Sequence, residues 1–98
     1  MSLANPKDES CCLPGDVIVT ALPSGFFVGR ALPVRPNEPR WAYVGVRNSF
    51  REAVSIARAE AAKQAGRAWV QHEGCNYYRI PEDDAEPFGF DDHGNIEH

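Results

Sequence analysis

Hydrophobic positions along this chain fall into two patterns, one of short dense runs and one spaced at helical intervals. Val17-Ile18-Val19-Thr20-Ala21-Leu22 is compact and β-branched, which predicts a strand over 16–22. Pro23-Ser24-Gly25 breaks the run with turn residues. Phe26-Phe27-Val28-Gly29-Arg30-Ala31-Leu32 then reads as a returning strand, so the two form a hairpin. Pro33, Pro36 and Pro39 exclude 33–40 from a central ladder and make it a loop. Trp41-Ala42-Tyr43-Val44-Gly45-Val46 is a third strand.

The pattern changes at Ser49. Ser49-Phe50-Arg51-Glu52 has the form of a capping box, in which the Ser hydroxyl accepts from the N–H of Glu52. A helix is expected from Phe50 to about Ala65, in a stretch rich in strong helix formers. Phe50, Ala53, Val54, Ala57, Ala61 and Ala65 share one face, with Ile56 at its edge. Gly66 stands where a left-handed C-terminal cap residue is needed. Arg67–His72 and Asn76–Ile80 follow as a second hairpin around Glu73-Gly74, and Pro81 ends it.

The order is β-β-β-α-β-β. Short turns favour antiparallel neighbours. The expected fold is therefore α+β: an antiparallel sheet with one helix packed on one face. One domain is expected over 15–81, between a flexible arm at 1–14 and an acidic, largely disordered tail at 82–98. Phe88, Phe90 and Ile96 are the tail's candidate docking points.

The segment SFREAVSIARAEAAKQA from Ser49 to Ala65 leads through Gly66 to Ala68-Trp69-Val70-Gln71-His72-Glu73-Gly74. With the earlier Gly25-Phe26-Phe27-Val28, this resembles small bacterial domains of unknown function built as hairpin, Ala-rich helix and hairpin. The resemblance covers roughly residues 16–80, the size of one domain. It implies a fold and assigns no catalytic residues.

Composition narrows the classes. Ninety-eight residues leave room for one core, and the 43% apolar and 24% charged fractions are ordinary for a soluble globular chain. No apolar run approaches the length of a membrane span, so no membrane partner is expected. Met1 to Ser10 is polar and has no signal-like apolar region, and three cysteines cannot form a closed disulfide set. Both point to a cytoplasmic location. The net charge of −4 is unevenly spread. Residues 81–98 hold seven acids and no Lys or Arg, while 1–80 hold ten bases against seven acids. A −7 tail beside a +3 body could screen the arginines from polyanions.

Reactive residues are few. Cys11, Cys12, His72 and Cys75 would supply four zinc ligands, but adjacent cysteines chelate one ion awkwardly and no CxxC anchors a site. Cys75 and His72 could pair as nucleophile and base, yet a hairpin tip offers little concavity for an oxyanion hole. No phosphate-binding loop or hydrolase motif occurs. Neither catalytic residues nor a cofactor or metal is expected.

The strands carry the more informative chemistry. Trp41 and Tyr43 are two apart and share a face, as do Tyr77 and Arg79, and Phe26 and Arg30. If all six lie away from the helix, they form a candidate interaction face of rings and guanidiniums. The expected role is a binding module that self-associates as a homodimer, or meets another protein, through this face. The alternative is a weak single-stranded nucleic-acid binder with an autoinhibitory tail. Charge at the rim would favour the first, and Arg across the face the second.

Overall fold

The computed structural model describes residues 13–72, 76–82, 89–90 and 94. The six elements occur in the expected order: β1 (Val17–Leu22), β2 (Gly25–Ala31), β3 (Trp41–Arg47), α1 (Phe50–Lys63), β4 (Ala68–His72) and β5 (Asn76–Arg79). The fold is α+β, with one helix over a five-stranded sheet.

The sheet is mixed, which corrects the expectation of an all-antiparallel one. In space the strands run β3-β2-β1-β4-β5, and β1 pairs with β4 in parallel, Ile18 opposite Trp69 and Val19 opposite Val70. The other three pairings are antiparallel. The helix is the reason. β3 runs antiparallel to β2 and therefore in the direction of β1. A 14-residue helix carries the chain about 21 Å back along the sheet at ~1.5 Å per residue. β4 must then set out in the direction of β1 again. Hairpin turns dictate pairing within each hairpin and leave the join between the two hairpins to this return path.

The cap forms as expected: Ser49 is extended and its Oγ accepts from the Glu52 N–H at 3.4 Å. The other end differs in detail. The helix closes at Lys63, and Ala65, at φ 54°, is the left-handed residue in place of Gly66. The Gly66 N–H reaches Ala61 O at 2.9 Å and the Ala65 N–H reaches Ala62 O at 3.3 Å, a Schellman closure. Gly66 is needed for another reason. A Cβ there would stand 2.4 Å from the carbonyl oxygen of Gly15, so only glycine lets the helix exit pass the start of β1. Ala65 is exposed rather than part of the buried stripe.

The main core lies between helix and sheet. Phe50, Ala53, Val54, Ala57 and Ala61 face Val17, Val19, Val28, Val70 and Ile80. The alanines bring the helix close, and the valines and Phe50 supply the area. Phe90 belongs to this core as well. It is buried, with ring centroids 5.5 Å from Tyr78, 5.7 Å from His72 and 5.9 Å from Phe50. Gly94 lies against Phe26 and Phe50. The packed body thus extends past Pro81, because a ring of this size finds an apolar slot beside Phe50 that the Ala-rich helix leaves open. The expectations for the arm up to Cys12, and for 83–88, 91–93 and 95–98, lie outside the described residues.

Candidate interaction face

The face of the sheet away from α1 carries Ile18, Thr20 and Leu22 from β1. Phe27 and Gly29 come from β2, Trp41, Tyr43 and Val46 from β3, Trp69 and Gln71 from β4, and Tyr77 and Arg79 from β5. The register sets this list, since paired residues share a face: Phe27 opposes Val46 and Thr20, Gly29 opposes Tyr43, and Gln71 opposes Tyr77 and Thr20.

Of the six expected face residues, the fold brings Trp41, Tyr43, Tyr77 and Arg79 together on this side. Phe26 and Arg30 belong to the opposite one. Phe26 meets Phe50 edge-on, with centroids 5.5 Å apart, and Arg30 lies 3.6 Å from Glu60 on the helix. The cause is register. Val19 pairs with Val28, so the side of β2 that holds Phe26, Val28 and Arg30 is the side β1 turns to the helix. Both Phe26 and Phe27 are aromatic, so alternation within β2 could not choose between them.

The face has two unlike halves. Around β1, β4 and β5, Ile18, Trp69 and Tyr77 are buried and form a second small cluster with half-buried Trp41. Asp16 organises its end. The residue is 2% exposed, and its two carboxylate oxygens accept from the Arg67 N–H at 2.9 Å, the Trp69 Nε1–H at 3.1 Å and the Leu13 N–H at 3.1 Å. The Arg67 and Arg79 guanidiniums lie against the Trp69 ring, 5.5 and 5.9 Å from its centroid. Each also has an acid: Asp16 lies 3.9 Å from Arg67 Nε, and Glu82 lies 3.3 Å from Arg79 Nη2. Thr20 Oγ1 donates to Gln71 Oε1 at 2.9 Å in the middle of the sheet.

The other half, toward β2 and β3, is apolar and open. Tyr43 is 71% exposed, and Leu22 and Val46 are also exposed. Half-buried Phe27 lies among them, its centroid 6.1 Å from the Tyr43 ring. Its ring lies over Gly29, where a Cβ would come within 2.7 Å of Phe27 Cε1. Glycine there lets the ring lie flat along the strand. Phe27, Trp69 and Asp16 were not among the residues expected to matter. For Trp69 the available signal was its indole N–H, which needs an acceptor when buried.

His72 lies on the helix side, half-buried against Phe90 and Tyr78. Cys11, Cys12 and Cys75 lie outside the described residues. Among the described residues no three His, Cys, Asp or Glu side chains are grouped to hold a metal ion. No described helix is long and apolar enough to cross a membrane. Comparison of the chain with protein-family models, with curated proteins and with solved structures gives no match.

Proposed function

We propose that this chain is a binding module that self-associates through the open half of its second sheet face. Leu22, Phe27, Tyr43 and Val46 form the contact, and a second copy of the chain is the occupant. The observation that carries the reading is the absence of charge from this strip among the described residues. Its four apolar side chains lie together, three of them exposed, with no Lys, Arg, Asp or Glu among them. Arg67 and Arg79 stay at the far end of the face, beside Asp16 and Glu82. Apolar centres with charge at the margin are the usual composition of protein contacts. A patch that meets its own copy about a twofold axis needs no second complementary surface.

The contact is face to face rather than edge to edge. The ladder between β2 and β3 shifts register between Val28 and Gly29, which leaves an extra residue in β3. Arg47 Nη1 folds back to donate to Val46 O at 2.8 Å. A bulge and a charged side chain on an edge strand both discourage addition of a further strand.

Single-stranded nucleic acid fits this face less well. Base stacking requires exposed rings close to cations. Two cations lie against Trp69, which is only 5% exposed and so closed to a stacking base. Amide chemical shifts followed from dilute to concentrated protein test the proposal. Changes centred on Leu22, Phe27, Tyr43 and Val46 are expected. Changes centred elsewhere, or none, would overturn it.

A further inference from the structure

Beyond β5 the chain returns to the body on the helix side of the sheet, away from the open strip. Phe90 enters a slot whose walls are Phe50 at the start of α1, His72 at the end of β4 and Tyr78 in β5, with ring centroids 5.9, 5.7 and 5.5 Å away. Four positions later Gly94 passes Phe26 and Phe50 so closely that a Cβ there would lie 3.0 Å from an atom of each ring. Gly89 and Gly94 both have left-handed backbones, with φ of 86° and 82°. The backbone of Phe90 itself makes one isolated β-bridge. Where a folded domain holds an extended peptide, main-chain bonds of this kind give affinity and side-chain pockets give specificity.

The walls belong to β2, α1, β4 and β5, so the slot is built by the body and not by the segment that fills it. It also reaches the surface: with Phe90 in place, Phe26, His72 and Tyr78 are half-buried rather than buried. The covalent link to Phe90 contributes local concentration, on the order of millimolar for a short flexible tether. A segment that stays docked must therefore bind in trans more tightly than about 1 mM. The sequence seen to fit is this chain's own, Phe90 followed four positions later by Gly94. We infer that the slot is a peptide-docking site filled in cis, and that it takes the Phe90–Gly94 segment of a second copy in place of its own. This contact is separate from the open strip, which lies on the other face of the sheet.

The test uses the full chain carrying Phe90→Ala, which empties the slot, and a synthetic peptide of residues 82–98, the same segment supplied by a second molecule. The amide chemical shifts of Phe26, Phe50, His72 and Tyr78 should move and saturate, with half-saturation below about 1 mM. The thermal midpoint should rise with peptide concentration toward that of the parent, because the peptide binds the folded state. Phe90→Leu, which keeps an apolar side chain in the slot and hence the fold, is the second variant, and its tail should give way to the same peptide. The parent, its slot filled, should need at least about tenfold more peptide than the Phe90→Ala protein. The peptide carries none of Leu22, Phe27, Tyr43 and Val46, so the outcome is independent of the strip contact. No saturable shift in either variant, equal half-saturation in the parent, or equal binding of a peptide that itself carries Phe90→Ala, would overturn the site.

Discussion

Asp16 is buried and accepts three hydrogen bonds from two separate parts of the chain. One carboxylate at the start of β1 accepts from the turn before it, from the backbone entering β4 and from the indole beneath Arg67. It therefore anchors the parallel junction between the two hairpins at its open end. Buried donors left without an acceptor each cost about 1–3 kcal/mol. Asp16→Asn keeps one acceptor but turns an amide toward the Trp69 and Leu13 N–H groups. It should lower stability by about 2 kcal/mol in urea titration. An unchanged midpoint would mean that these hydrogen bonds contribute nothing. In the sequence Asp16 stands only as the start of a strand. Its role depends on residues some fifty positions away, Arg67 and Trp69, and nothing local points to them.

At the scale of elements, most of the architecture is local and was legible. The strands lie where β-branched and aromatic residues cluster, and the helix begins at its Ser cap. Ser49→Ala should cost about 0.5–1 kcal/mol, the lower part of the range for lost caps, because the hydrogen bond is long and exposed. A thermal midpoint equal to that of the parent would show that the cap is not formed in solution. What was not legible is how elements meet. The parallel β1–β4 pairing follows from the helix return, which no turn residue encodes. The face assignment of β2 follows from its register with β1, and a shift of one residue exchanges the two faces. Trp41 and Tyr43 share a face, since a period of two within one strand suffices to relate them. Phe26 and Arg30 were misplaced because relating two strands requires the register. Arg30 looked like a surface residue, and its partner Glu60 comes from the helix above it.

The whole molecule is larger than its secondary structure. Phe90 lies beyond the last strand yet fills the core between Phe50, His72 and Tyr78. The acidic composition around it obscured this, because one buried ring among many carboxylates hardly alters an average. Phe90→Ala should cost about 3 kcal/mol, the loss typical of a buried ring replaced by a cavity. Deleting 82–98 should destabilise at least as much, since it removes the same ring. Truncated protein as stable as the full chain would show that the Phe90 contact adds nothing.

Self-association through the open strip is the central claim at this scale. Trp41 is a poor probe of it, because its ring also packs against the cluster of Ile18, Trp69 and Tyr77. Tyr43 is the cleaner one, being the most exposed ring on the strip. Sedimentation equilibrium of the parent and of Tyr43→Glu, across micromolar concentrations, tests the claim most directly. The parent mass should rise with concentration from 10.8 kDa toward that of a dimer. Tyr43→Glu should stay at the monomer mass with an unchanged thermal midpoint. A parent that remains at 10.8 kDa at the highest concentration, or a Tyr43→Glu protein that associates equally well, would contradict the account.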